Sequence, residues 1–252
     1  MNWSGISNQS ILGKILRLLL RLLPAQMPMP ILQGKLKGQK WIVGSSSHGC
    51  WLGSYEFDKQ RIFERTIAQG STVFDLGGHV GFYTLLSSAL VGATGKVFVF
   101  EPLPRNLFYL NKHLHLNNIK NVTVIEAAVL DKVGTATFEE SSMRSMGYLS
   151  SNGKLQVRTV SLEDLIESGE LPVPDYLKID IEGAEFLALS GAKSILKSSH
   201  PTIFLATHGD IIHQKCCHLL QSLGYQIQPI DGLSLEQSHE ILATYKKESA
   251  SG

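Results

Sequence analysis

The 252 residues carry 23 Lys and Arg against 22 Asp and Glu, a net charge of +1, with 43% hydrophobic and 18% charged side chains. A chain of this length buries about 70–75% of its unfolded surface in one core, and its balanced charge excludes a broad electrostatic footprint for nucleic acid. The cysteines, Cys50, Cys216 and Cys217, have neither metal-type spacing nor a disulfide framework. A reducing, cytoplasmic setting is expected, and no metal site.

From Ser10 to Leu23, the residues Ser10, Gly13, Lys14, Arg17 and Arg21 recur at helical spacing and leave a broad apolar face of Ile11, Leu12, Ile15, Leu16, Leu19, Leu22 and Leu23. This predicts a basic amphipathic helix. Charges interrupt it too often for a bilayer span, and it lacks the h-region of a secretory signal. It is expected to pack on the core, to join two copies as a homodimer, or to make peripheral contact with a membrane surface. Pro24, Pro28 and Pro30 end it. The expected organisation is an extension over residues 1–50, a main domain over 51–246 and a tail over 247–252, with short strands and turns over 31–60 and a helix over 59–69.

Beyond Val73, strand and helix patterns alternate, which predicts an α/β, Rossmann-like fold: a mainly parallel seven-stranded sheet of βαβ units with helices on both faces. Strands are expected over 72–76, 96–100, 122–126, 176–180 and 202–206, and helices over 82–91, 104–117, 184–197 and 211–223. Gly134–Phe138 and Leu155–Val160 read as a β excursion, Ser161 as a helix cap with Asp164 three residues on, and Gln226–Ile230 with Glu240–Tyr245 as a closing antiparallel pair.

Ligands in such sheets sit beyond the carboxyl ends of the strands. The first of these ends, Asp75-Leu76-Gly77-Gly78-His79-Val80-Gly81-Phe82-Tyr83-Thr84, lacks the G-x-G-x-x-G spacing that cradles a pyrophosphate, and Asp75 would repel a diphosphate. That argues against a dehydrogenase. S-adenosylmethionine, with a sulfonium, an ammonium and no phosphate, suits an acidic strand end with close backbone approach at Gly77 and Gly81. Glu101, ending the next strand before Pro102 and about 20 residues past the turn, is placed to accept from ribose hydroxyls. Ala127 and Ala128, beside Glu126, leave room for adenine. Tyr176-Leu177-Lys178-Ile179-Asp180-Ile181-Glu182-Gly183-Ala184-Glu185 ends another strand in three carboxylates. Lys178 is expected to pair with a neighbouring acid, and Glu185 to serve the helix dipole. His208, at the end of strand 202–206, is a candidate acid or base.

With these residues in view, the chain resembles the FkbM-type family of S-adenosylmethionine-dependent methyltransferases from about Leu52 to Asp231. The likeness rests on Leu52-Gly53-Ser54-Tyr55-Glu56, the Asp75–Thr84 segment, Phe100-Glu101-Pro102, Asn117, the Lys178–Glu185 segment and Thr207-His208-Gly209, in that order. The family commonly reads Gly-Ala-Asn where this chain has Gly77-Gly78-His79, and often has a glutamate before the late histidine, where Ala206-Thr207 stand here. The resemblance implies a class I methyltransferase sheet and O-methylation of a hydroxyl on a sugar or other natural product. Together with the motifs it assigns cofactor contacts to Tyr55, Glu56, Asp75, Gly77, Gly78, His79, Gly81, Thr84, Glu101, Pro102, Ala127, Ala128 and Asp180. His208 is the first candidate for the base, with Asp180 and Glu182 orienting it or the acceptor. Two readings stay open at this level: a protein side-chain N-methyltransferase, and a non-catalytic methyltransferase-like scaffold. Residues 139–155, serine-rich with Met143, Arg144, Met146 and Tyr148, are a candidate substrate lid.

Overall fold

The computed structural model describes residues 23–140, 147–149 and 153–246. The amphipathic helix, apart from Leu23, the tail over 247–252 and most of the candidate lid lie outside the described residues. A ribbon comes first, with β1 (Pro28–Pro30) antiparallel to β2 (Lys40–Ile42), followed by α1 (His48–Leu52) and α2 (Phe57–Thr66). The alternating run then begins with β3 (Thr72–Leu76), α3 (Phe82–Val91), β4 (Lys96–Phe100), α4 (Pro104–Leu116) and β5 (Val122–Ile125). The excursion comprises β6 (Ala128–Val129), β7 (Gly134–Glu140), β8 (Gly147–Leu149) and β9 (Leu155–Val160). After it come α5 (Leu162–Glu167), β10 (Tyr176–Ile179), α6 (Glu185–Ser190), α7 (Lys193–Ser199), β11 (Thr202–Ala206), α8 (Asp210–Ser222), β12 (Tyr225–Pro229) and β13 (Glu240–Tyr245).

Seven strands form one sheet in the order β12-β13-β11-β10-β3-β4-β5, parallel except for β13, which runs against both of its neighbours. Its strands are apolar because both faces are covered. Phe74, Leu76, Phe100, Leu177, Ile179 and Leu205 pack on one side, and Val73, Val97 and Phe204 pack with Trp41, Phe63 and Leu85 on the other. The excursion forms a separate sheet, β6-β9-β7-β8. Chain order reverses between β3 and β10, which opens a crevice at their carboxyl ends.

One helix differs from expectation. The span expected over 184–197 is broken, α6 ending at Ser190 and α7 starting at Lys193. The cause is Gly191, where a Cβ would lie 2.6 Å from Asp131 Cα and 2.7 Å from Leu130 O. Its carbonyl accepts from Glu163 N at 3.1 Å and Ser161 Oγ at 3.2 Å, so the helical ladder stops there. Among the described residues no helix is long and apolar enough to cross a membrane.

The segment expected as an extension, from Pro28 onward, is packed against the main sheet's helices. Trp41 is buried and stacks on His113 at 3.9 Å and 14°. His113 Nε2 accepts from Ile42 N at 3.0 Å, which puts the ring proton on Nδ1, where it is donated to Val80 O at 2.7 Å. Asn117, at the end of α4, completes the seam by accepting from Lys40 N at 2.7 Å and donating to Lys40 O at 2.9 Å.

Burial lowers the His113 pKa to about 4 from 6.5. The unfolded chain therefore takes up a proton near pH 6.5 that the folded chain refuses, so this contribution is complete above pH 6.5 and is lost as pH falls toward 4, a loss of order 3 kcal/mol. Gln at this position offers a donor and an acceptor but does not titrate. In urea denaturation, His113→Gln is expected to be less stable than the parent at pH 7 and to lose less stability between pH 6.5 and 4. An unchanged pH slope would remove His113 as its source.

Candidate active site

The turn after β3 is shaped by what lies against it. Gly77 has φ +79°, and a Cβ there would sit 1.9 Å from the Asp180 carbonyl oxygen; at Gly78 it would meet Val99 Cγ2 at 2.1 Å. Gly81, φ +98°, opens α3 with Leu110 at its back. His79 is also left-handed, φ 51°, a region that Asn, Asp and His enter more readily than other side chains. The backbone requirement thus accommodates histidine at this point. Its N–H donates to Glu101 Oε2 at 2.8 Å, and its Nε2 is buried with no hydrogen-bond partner among the described residues. Burial, with Lys178 and Arg105 nearby, lowers the His79 pKa to about 4, so the ring is neutral.

Glu101 is buried at the end of β4. Its Oε1 accepts from Leu103 N at 2.9 Å and Asn106 Nδ2 at 3.2 Å, and burial raises its pKa to about 7 against these donors. Lys178 projects from β10 with Nζ 2.9 Å from Gly77 O, 3.2 Å from Asp75 Oδ1 and 3.7 Å from Asp180 Oδ2. Burial acts to lower its pKa, but the Asp75 and Asp180 carboxylates outweigh that and raise it. Asp75 also accepts from Thr84 Oγ1 at 2.7 Å.

A cavity of about 270 Å³ opens above this turn. Of the residues expected to touch cofactor, Tyr55, Gly77, Gly78, His79, Glu101, Pro102, Ala127, Ala128 and Asp180 line it, as does Glu182. Asp75, Gly81, Thr84 and Glu56 do not appear on its wall. The first three support the turn from beneath, while Glu56 accepts from Tyr83 Oη at 2.9 Å and pairs with Lys59 at 3.3 Å. Sequence reasoning did not place Ser46, Cys50, Tyr83, Leu103, Asn106 and Phe138 on the wall. Phe138 carried a usable signal as the large apolar residue of the excursion; Ser46 and Cys50 carried none.

At the edge of the cavity three carboxylates surround one imidazole. His208 Nδ1 lies 2.8 Å from Glu185 Oε1, which also accepts from Gly183 N at 2.9 Å. His208 Nε2 lies 3.5 Å from Glu182 Oε2 and 3.8 Å from Asp180 Oδ1. Glu182 is held left-handed, φ 51°. The Glu185 hydrogen bond, opposed by burial and aided by Glu182 and Asp180, lifts the His208 pKa to about 9. Burial acts to raise the Asp180 pKa, but Lys178 leads the charges that bring it below the ordinary value. Burial raises that of Glu182. Glu185, read from sequence as a helix-end acid, is instead fully buried at the histidine.

A mainly parallel sheet with its switch beside β3, a turn that admits only glycine at residues 77 and 78 and a buried carboxylate on the next strand define the class I methyltransferase fold. The methyltransferase FkbM domain matches residues 75–227, more than half of the chain, and the chain belongs to that family. It is 28% identical over 145 residues to the hexuronic acid methyltransferase AglP of Haloferax volcanii, a match that covers 57% of this chain and 59% of that protein. The chain therefore spans about three fifths of that relative's length. Its fold is similar to the crystal structure of methyltransferase FkbM from Methylobacillus flagellatus, at TM-score 0.52 and 16% identity over 79% of this chain and 56% of the other. It is also similar to precorrin-6y C5,15-methyltransferase from Geobacter metallireducens, at TM-score 0.50 and 17% identity over 76% and 89%. The cofactor that membership of this family implies is S-adenosylmethionine. The residues present fit it: a turn in which Gly77 and Gly78 leave no room for a Cβ, a buried carboxylate one strand over and no phosphate-type glycine spacing.

Two substitutions separate support from contact. Asp75→Ala leaves the Lys178 ammonium buried beside an unfilled space, so urea denaturation is expected to report a loss of about 3–5 kcal/mol of stability. Glu101→Ala is expected to weaken S-adenosylmethionine binding by about 1–3 kcal/mol in calorimetry. Equal stability of Asp75→Ala and the parent, or full affinity in Glu101→Ala, would overturn the respective role.

Proposed function

We propose that the chain transfers a methyl group from S-adenosylmethionine to a hydroxyl oxygen of a sugar or sugar acid. The single observation that carries this reading is the rim where Asp180, Glu182 and His208 meet beside the cavity. The acceptor class is supported by the similarity to a hexuronic acid methyltransferase. S-adenosylmethionine supplies an electrophilic methyl carbon on a sulfonium. Glu101 accepts from its ribose hydroxyls, the apolar wall of Leu103, Ala127, Ala128 and Phe138 covers its adenine, and the neutral His79 is part of the same wall.

The rim then orients the acceptor. Sugar hydroxyls donate to Asp180 and Glu182, and the excess of carboxylate there favours a neutral hydroxyl over a uronate carboxylate as attacking oxygen. As the O–C bond forms and the C–S bond breaks, the hydroxyl proton passes to Glu182, whose raised pKa makes it the better acceptor of the two acids. Sequence reasoning put His208 first. A histidine held at about 9 already carries a proton at neutral pH, so its part is to position Glu182 and Asp180. Alignment of oxygen, methyl carbon and sulfur, with water excluded, supplies the remainder.

The test incubates the protein with labelled S-adenosylmethionine and neutral and uronate oligosaccharides, then treats the product with mild alkali. Label retained as an alkali-stable ether is expected; label released as methanol would show ester formation at a carboxylate, and label on protein would show side-chain methylation. Glu182→Gln is expected to lower kcat by about 10²–10⁴-fold with cofactor affinity intact. Full turnover in that variant would transfer the proton-accepting role to Asp180.

A further inference from the structure

Resting on that reading of the rim, we propose that Asp180, Glu182 and His208 bind one divalent cation of the Mn²⁺ or Mg²⁺ class, at which the acceptor hydroxyl is held. Each residue offers one ligand atom, and the three atoms lie within 4.8 Å of one another. The distances from His208 Nε2, 3.5 Å to Glu182 Oε2 and 3.8 Å to Asp180 Oδ1, are too long for hydrogen bonds of about 2.7–3.2 Å. They exceed the separations of ligands sharing one ion by less than about 1 Å, a contraction that side-chain rotation supplies when the ion enters. Ligand atoms each about 2.1 Å from a metal stand about 3.0 Å apart at octahedral angles and about 3.4 Å apart at tetrahedral ones.

A second observation lies outside those three residues. Glu185 is fully buried, holds His208 Nδ1 with Oε1, and has an Oε2 that is buried with no hydrogen-bond partner among the described residues. A carboxylate on one ring nitrogen fixes a proton there, and a cation displaces the second proton that the ion-free ring carries at neutral pH, leaving the lone pair of the other nitrogen for the ion, the arrangement that backs metal-bound histidines. Here the outward nitrogen faces Asp180 and Glu182. Lys178 pairs with Asp180 at 3.7 Å but stands closer to Asp75 and the Gly77 carbonyl, so it offsets only part of the negative charge of Asp180 and Glu182. Two carboxylates and one imidazole suit Mn²⁺ or Mg²⁺ better than a thiolate-seeking metal. The site borders the cavity through Asp180 and Glu182. A cation there lowers the pKa of the acceptor hydroxyl, which offsets the basicity that Glu182 loses by giving Oε2 to the ion while Oε1 takes the proton.

The experiment titrates the chelator-treated full-length chain with Mn²⁺, reading bound ion by the loss of the free-ion paramagnetic signal and by calorimetry, and repeats it with Mg²⁺. One saturable Mn²⁺ per chain is expected, with affinity reduced at least tenfold in Glu182→Gln and in His208→Gln, and about 10–100-fold in Glu185→Gln, which touches no ion. Glu182 is half-buried, so Glu182→Gln keeps the test decisive if the buried Glu185 variant fails to fold; circular dichroism checks each. No saturable binding by the parent chain, or binding unchanged in Glu182→Gln and His208→Gln, overturns the proposal. S-adenosylmethionine binding and sugar methylation are measured in the same samples. Methylation without a Mn²⁺ site removes the cation alone, whereas a Mn²⁺ site without methylation of any sugar supports the cation and removes the acceptor reading.

Discussion

The Lys178 ammonium is the charge on which the site is assembled. It sits buried between Asp75 of β3 and Asp180 just past β10, and donates to the Gly77 carbonyl between them. A buried pair of this kind is tolerated only when its hydrogen bonds are well satisfied, and here they come from two adjacent strands and the turn that leaves one of them. The position of the turn relative to β10 is therefore coupled to an electrostatic minimum as well as to packing. Everything above the turn inherits that placement: His79, whose amide reaches Glu101, and Asp180, whose side chain opens onto the rim.

Much of the architecture was legible in the sequence because its signals are local. The strand at 72–76 is apolar up to one acid, glycines follow it, and 104–117 carries an amphipathic pattern ending at Asn117; the structure places β3 at Thr72–Leu76 and α4 at Pro104–Leu116. Less legible were features decided by distant neighbours. Gly191 breaks a helix because residues Leu130 and Asp131 press on it, and no local pattern announces a contact some sixty positions away. The burial of Glu185 was hidden for the same reason, since an acid in the first turn of a helix has an ordinary explanation in the dipole. Asp75 was read as a cofactor contact at the end of its strand, and its position beside Thr84 and Lys178 was not legible, because sequence order does not say which way a strand-end carboxylate turns.

Chemically, the two ends of the crevice are opposites. Around the turn, polar groups are buried and held by close partners: Thr84 donates to Asp75, and Lys178 pairs with Asp75 and donates to the Gly77 carbonyl. At the rim, Asp180, Glu182 and His208 are each partly exposed and stand near one another without hydrogen-bond contact among these atoms. Rigid support beneath and adaptable polar groups above is the division expected of a site that must hold one constant ligand and admit another. The left-handed backbones of His79 and Glu182 mark one residue on each side of that division.

The ribbon that precedes the sheet shapes how the protein acquires its site. Ser46 and Cys50 are cavity wall, yet Ile42, which anchors their segment, finds its partner on His113, 71 residues later. On the ribosome the ribbon is made before α4, so its contacts to His113 and Asn117 form late and at long range, after β3 and the turn exist. A shortened chain beginning after Gly53 would retain every strand of the seven-stranded sheet while leaving one flank of the cofactor cavity open to water. Completeness of the sheet and competence of the site are thus separate events in the life of this chain, joined by a neutral imidazole and the amide that stands beside it on α4.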